Sequence, residues 1–312
     1  MESFVFSVII PHKNIPDLLQ RCLDSIPRRN DIQIIVVDDN SDENKVDFCD
    51  FPGLNDNHVE VYFTKEGKGA GYARNIGLTH AKGKWLLFAD ADDFFTENAF
   101  DLFFAQQDSP HDIIYFKVTN CYSDTYKLAR LYDYWNSLIE KYLCKKKDSE
   151  NNLRYYHSVP WGKMIKTEFV KEENIRFDEV MAFNDVMFSL KTGFKACSIG
   201  IVDHVLYCVT VRRGSIQHTK SYEQLLSSYL VILRMNEFFR KNGKHRYQVS
   251  TLRFFYFATK YGIVPFLYFI KLSILYKNNI FIGICSFKWI KGFFKLRKYE
   301  KTNKKYFVTD GH

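Results

Sequence analysis

Residues 85–95, WLLFADADDFF, constrain the fold more than any other stretch: five apolar positions run without a break into Asp90, Asp92 and Asp93. A continuous apolar run bounded by Gly83 and a charged cluster is the pattern of a short strand covered on both faces. The carboxylates then fall at the strand's C-terminal end. In open α/β sheets that end faces the ligand crevice, and clustered carboxylates there suit a hard divalent cation that also meets a phosphate. The alternative is that they cap a helix starting near Glu97, although three such charges repel one another without a cation.

The preceding residues repeat the theme. Residues 4–10 read as a strand, and 17–26 as a helix with Leu18, Leu19, Cys22, Leu23 and Ile26 in one apolar stripe. A second buried strand, 33–37, ends in Asp38 and Asp39, followed by Asn40-Ser41-Asp42, whose side chains suit a turn. A third strand, 59–63, leads through a glycine-rich loop into a helix over 71–81, and 112–118 reads as a further strand. Strands alternating with helices predict an α/β fold with a mostly parallel sheet flanked by helices. Residues 122–147 read as loop and helix, and from about 222 onward the pattern is helical with a break at Pro265. The expected organisation is a catalytic domain over 1–218, in halves 1–118 and 119–218, then a helical extension over 219–312.

At 312 residues and 46% hydrophobic content, the chain has ample material for a core. Its seven cysteines are scattered singly without a CxxC pair, which suggests neither zinc nor a disulfide framework and fits a reducing compartment. The start, MESFVFSVII, passes directly into a strand and does not resemble a signal peptide, so a cytoplasmic location is expected. The net charge of +8 is uneven: 16 Lys and Arg face two acids over residues 238–312, a net +14 that leaves −6 for the rest. That basic tail is crowded with Phe, Tyr, Ile and Leu, yet neither 261–276 nor 280–296 supplies the run of about 20 apolar residues that spans a bilayer. It reads as an interfacial anchor on an anionic membrane surface, placing the protein peripherally on the inner face of the cell membrane. The competing reading is a helical subdomain with a solvated basic face. No nucleic-acid module accompanies the charge, so nucleic acid is not an expected partner.

Each motif has a functional and a structural reading. Asp39 at a strand end can accept hydrogen bonds from a base or ribose, or can serve the turn. In KEGKGAGYARNIG, over 65–77, glycines permit close backbone approach, and Arg74 near a helix start suits a diphosphate; an ordinary flexible loop is the alternative. Asp185 would begin a helix, and from spacing alone it reads as that helix's cap. Trp161 could equally be core, and single histidines such as His12, His157 and His218 are more often structural or exposed than catalytic.

Taken together the blocks resemble the family 2 glycosyltransferases of the GT-A fold: SVIIPHKN at 7–14, IIVVDDNSDE at 34–43, GAGYARNIGL at 69–78, GKWLLFADADDFF at 83–95, VPWGKMIK at 159–166 and AFNDVMF at 182–188. The resemblance covers about residues 5–218. It implies transfer of a sugar, with inversion, from a nucleotide diphosphate donor, a UDP-sugar, to a hydroxyl of a glycan or lipid-linked glycan in surface polysaccharide synthesis. Carried over, Pro11 and Asp39 would contact the nucleotide, Arg74 the nucleotide or diphosphate, and Asp90 the ribose side. Asp92 and Asp93 would hold Mn²⁺ or Mg²⁺, Asp185 would be the general base, and Trp161 and Asn184 would face the acceptor. Two departures stand out. His12-Lys13-Asn14 replaces the Val-Tyr-Asn of many relatives, and Asn184 replaces the usual Glu before the base. The rival functions are a degenerate sugar-nucleotide-binding or scaffold protein, and a sugar nucleotidyltransferase, for which PHKN is a poor match.

Overall fold

The computed structural model describes residues 4–129, 133–211 and 221–282. The apolar runs of the first hundred residues form β1 (Phe6–His12), β2 (Ile32–Asp39), β3 (Val59–Thr64) and β4 (Trp85–Phe88). They lie parallel in the order β3-β2-β1-β4. Every residue of β1, β2 and β4 is buried, which is why these strands read as unbroken apolar runs; β3, at the sheet edge, is only partly buried.

Alternate residues of each strand feed two cores. Phe6, Val8, Ile34, Val36, Trp85 and Leu87 pack on one face, and Ile9, Ile35, Val37, Leu86 and Phe88 on the other. Helix α1 (Pro16–Asp24) covers the first face with Leu19, Cys22 and Leu23, and its proline occupies the first turn, where a missing N–H costs no hydrogen bond. Helix α2 (Ala70–His80) covers the second with Ala73 and Leu78.

Beyond β4 the chain continues through β5 (Phe94–Phe95), α3 (Ala99–Phe104), β6 (Ile113–Tyr122), α4 (Asp133–Leu143), α5 (Ser149–Tyr156), β7 (Lys163–Lys166), α6 (Thr167–Glu172), α7 (Val186–Lys195) and β8 (Ile199–Val211). The full order is β3-β2-β1-β4-β7-β6-β8-β5. The mostly parallel sheet expected is present: β3-β2-β1-β4 run parallel, and so do β6 and β8. Short β7 is inserted antiparallel to both β4 and β6, and β5 runs antiparallel to β8, so the sheet as a whole is mixed. Helix α3 begins after Asn98, which is left-handed at φ 60°, so the carboxylates of 90–93 do not cap it.

The chain divides into two compact units, Met1–Ser227 and Ser228–His312. Helix α8 (Tyr222–Lys241) carries the division, and α9 (Leu252–Ala258) and α10 (Ile263–Leu275) follow. Within the second unit the Tyr229 ring stacks on Phe269 at 4.3 Å, and its hydroxyl donates to the Phe269 carbonyl at 2.9 Å. The break expected at Pro265 falls instead at Gly262, with φ 108°, while Pro265 sits in the first turn of α10, where its missing N–H is tolerated. Among the described residues no helix is long and apolar enough to cross a membrane. His218 and the tail segment from 283 onward lie outside the described residues.

Candidate active site

At the end of β2 the two aspartates divide their work. Asp38, 1% exposed, is bound by the His12 ring through Nδ1 at 2.7 Å and accepts from the Ser41 amide at 2.9 Å and hydroxyl at 2.5 Å. Burial pushes its pKa up, but the bonds from His12 and Ser41 together bring it below the usual value. Asp39 instead faces the glycine-rich loop: the Gly69 N–H reaches its two oxygens at 2.9 and 3.0 Å, and Lys13 Nζ lies 3.2 Å from Oδ2. Gly69 starts α2 from φ +93°, a backbone region that favours glycine. Pro11 is buried within β1, opposite Val37.

At the end of β4 residues 90–93 form a tight turn, closed by the Asp93 N–H on the Asp90 carbonyl at 2.9 Å. Its side chains point to different partners. Asp90 receives Arg74 Nη2 at 2.5 Å, and the opposite nitrogen of the same guanidinium donates to Asn184 Oδ1 at 2.8 Å. Asp93 turns inward and is 2% exposed, accepting from the Tyr207 hydroxyl at 2.9 Å and the Thr210 amide at 2.6 Å. Burial and the neighbouring Asp92 and Asp90 carboxylates push Asp93 well above the ordinary carboxylate range. The Tyr207 hydroxyl also accepts from the Asp90 amide at 2.9 Å, and Arg21 of α1 donates to the Asp92 carbonyl at 2.6 Å. Arg21, Tyr207 and Thr210 therefore hold the turn from outside it. Sequence reading passed over all three, since nothing local marks a residue whose partner lies 71 to 118 positions away.

The third group arrives from the segment before α7. A Cβ at Gly71 would stand 2.1 Å from the Asp178 carbonyl, so only glycine lets α2 approach this segment so closely. Asn75 then ties it down, donating to the Phe177 carbonyl at 3.0 Å and accepting from the Phe177 amide at 2.9 Å. Asp185 occupies the cap position of α7 but makes no side-chain cap hydrogen bond. Burial raises its pKa; Arg74 opposes the rise, Asp90 adds to it, and the balance is about 6. Lys163 of β7, 1% exposed, donates to the His157 carbonyl at 2.7 Å, and burial lowers its pKa to about 7 against the pull of Asp185. This buried cation behind the proposed base also went unread in the sequence. His157 is itself buried with neither ring nitrogen partnered, and burial and Lys163 hold its pKa well below the ordinary range.

Trp161 is 5% exposed and belongs to the main core, its ring 5.1 Å from Trp135 and stacked at 5.9 Å on Tyr207. Through that stack it braces Tyr207, whose hydroxyl holds the 90–93 turn. A few residues before Asp185 in the chain, Met181 is 59% exposed and Phe183 38% exposed.

Among the described residues no group of three or more His, Cys, Asp or Glu forms a metal cage. The donor set at the β4 end is chemically suited to a cation held by one or two carboxylates, with substrate phosphates completing the shell. Half-buried Asp92 fits that role by its exposure, and both oxygens of deeply buried Asp93 are engaged by protein donors.

The sequence matches the Glycosyl transferase family 2 model over residues 7–172. Similar curated proteins include the glycosyltransferase GlyG of Streptococcus pneumoniae, 27% identical across 70% of this chain and 74% of that protein. The poly(ribitol-phosphate) beta-glucosyltransferase of Bacillus spizizenii is 26% identical across 67% of this chain and 32% of its own length. Among solved structures, S. aureus TarS 1–349 superposes with a TM-score of 0.56 at 20% identity, covering 74% of this chain and 64% of that one. Its complex with UDP-GlcNAc gives the same TM-score at 21% identity. At this identity the structural likeness shows a shared fold alone.

Proposed function

Because the chain belongs to glycosyl transferase family 2, we propose that it moves a sugar, with inversion, from a UDP-sugar to a hydroxyl of a glycan or lipid-linked glycan, in the synthesis of a surface polysaccharide. The observation that carries this reading is the convergence of Arg74, Asp90 and Asn184, the last 110 residues from Arg74, in one hydrogen-bonded chain beside Asp185. The UDP-GlcNAc bound to the TarS neighbour and the glucosyl transfer in the name of the Bacillus relative support the donor and polymer classes.

Each side chain then has a step. Asp39 holds the base, Asp90 the ribose side, and Arg74 lends positive charge near the diphosphate as it departs. Mn²⁺ or Mg²⁺, when bound through Asp92, would offset the leaving group's charge. Asp93 keeps the turn in shape through Tyr207 and Thr210. Asp185 takes the proton of the acceptor hydroxyl as the oxygen attacks opposite the diphosphate, so one catalytic carboxylate suffices. A pKa near 6 leaves it mostly ionised at neutral pH yet basic enough for the task. Asn184 and the exposed Met181 and Phe183 would meet the acceptor.

A panel of nucleotide sugars incubated with Mn²⁺ or Mg²⁺ tests the reading. Slow hydrolysis of one donor, abolished by chelation and in Asp92→Ala, is the expected result. Asp185→Asn should lose roughly 10²- to 10⁴-fold in transfer while keeping metal-dependent nucleotide binding. Wild-type transfer by that variant would remove Asp185 as base, and nucleotide binding without turnover of any donor would favour the degenerate binding protein.

The partner surface is proposed to be an anionic membrane, with the protein peripheral on its cytoplasmic side. Helix α10 exposes Ile263, Val264, Leu267, Ile274 and Leu275 at 55 to 73%, and the 45 residues from 238 to 282 contain eight Lys or Arg and no acid. An apolar face among cations suits shallow insertion between anionic headgroups. Flotation of the full chain on anionic vesicles should be strong, and should fall in Ile263→Glu/Leu267→Glu; equal recovery of both would sink the anchor.

A further inference from the structure

We propose that Lys13 and Asp39 together read the carbonyl–amide edge of the donor's base, accepting uracil or guanine and rejecting cytosine and adenine. The proposal rests on the nucleotide-sugar reading above. It starts from the acceptor capacity of Asp39. A carboxylate offers about four acceptor positions, and the bifurcated Gly69 N–H and Lys13 Nζ take three of them, two on Oδ2 and one on Oδ1. One position on Oδ1 is left for a ligand. The carboxylate around it is only 4% exposed, so whatever fills that position must be a donor at close range.

Lys13 supplies the complement. Its side chain is 47% exposed, and among the described residues only the N–H donor toward Asp39 meets a protein partner. Gly67, at φ +60°, lines the same corner, since a Cβ built there would lie 3.7 Å from Nζ. The protein therefore presents an acceptor next to a cationic donor. A matching base must present an N–H next to a carbonyl, as uracil does with N3–H and O4 and guanine with N1–H and O6. Cytosine and adenine offer the inverse, a ring nitrogen acceptor beside an amino group. They would set a lone pair against the Asp39 carboxylate and N–H bonds against the ammonium, so both contacts become repulsive. Lys13 lies in one of the two blocks that depart from the family pattern, so this edge reading is a property of this chain's own residues.

Titration calorimetry on the full-length protein with UDP, GDP, CDP and ADP, each with Mg²⁺ present, tests it. Either UDP or GDP should bind at least tenfold more tightly than CDP and ADP, and the comparison of those two arms identifies the base. Lys13→Met should weaken the preferred nucleotide by about tenfold and leave CDP nearly unchanged, so the gap closes. Lys13→Arg, which keeps the charge and the donors, should retain most of the preference and serves as the control for folding. An undiminished preference in Lys13→Met overturns the role of the lysine. Equal binding of all four nucleotides by the wild type overturns the edge reading while the sugar-nucleotide reading stands, and binding of none overturns both.

Discussion

Strands β2 and β4 both run buried into adjacent aspartates, Asp38-Asp39 and Asp92-Asp93, yet the pKa of the inward member of each pair is pushed in opposite directions. Asp38 and Asp93 are equally deep, at 1% and 2% exposure. Asp38 meets the His12 ring, the Ser41 amide and the Ser41 hydroxyl, and is held below the usual pKa although burial opposes this. Asp93 meets a phenol and one amide, has Asp92 and Asp90 as electrostatic neighbours, and is pushed well above it. Depth alone therefore decides nothing. What decides is whether the donors within reach outweigh burial and neighbouring charge.

The largest expected effect tests the ionised member. Asp38→Asn removes the charge that faces His12 and should cost about 3 kcal/mol, seen as a thermal midpoint lower by roughly 10 °C for a domain of this size. Because the folded pKa of Asp38 is depressed, its stabilisation exists above the unfolded value of about 3.9 and is lost as pH falls through the folded one. The gap between wild type and variant should narrow in acid; a gap independent of pH would deny the ionised state.

Asp185 extends the comparison to an intermediate case, where burial and Asp90 push up, Arg74 and Lys163 pull down, and the balance is about 6. Transfer should fall about tenfold between pH 7 and pH 5 as the base gains its proton. Lys163→Met removes a cation that favours the carboxylate, so the acid limb should move to higher pH. A limb that stays in place would separate Lys163 from the base.

Tyr207→Phe removes the hydroxyl that joins the Asp90 amide to Asp93, and should cost about 1 to 2 kcal/mol with about a tenfold loss of metal affinity. The smallest effect belongs to Asp93→Asn, an isosteric change that should stay within about 1 kcal/mol and preserve metal-dependent nucleotide binding. Here the sign is reversed. With a raised folded pKa, the contribution of Asp93 is present below the unfolded value and lost as pH rises toward the folded one, so the variant should gain on the wild type as pH increases. If Asp93→Asn abolished metal binding as Asp92→Ala is expected to, the roles of the two neighbours would be exchanged.

Much of this was legible in the chain. The buried runs at 33–37 and 85–89, the carboxylates at their ends and the glycine-rich entry to α2 announce themselves locally, because a strand covered on both faces must be apolar at every position and must stop where charge begins. The family blocks added Arg74 and Asp185 in order. Unread were the run of β7 against its neighbours and the depth of Trp161, and the helix break expected at Pro265 falls at Gly262. A four-residue strand carries no direction in its composition, and a tryptophan suits a core or a pocket equally well.

What the sequence determined by itself is which residues are apolar, which are charged and where one gives way to the other, and that sets the first four strands and the candidate acids at their ends. Only the tertiary structure decided which of those acids is held below the ordinary carboxylate range, which is raised above it and tied inward, and which pairs with Arg74. Asp93 finds Tyr207 across 114 residues and Arg74 finds Asn184 across 110. Hydrogen-bond partners and the burial that shifts a carboxylate's proton are properties of neighbours in space, and chain order does not carry them.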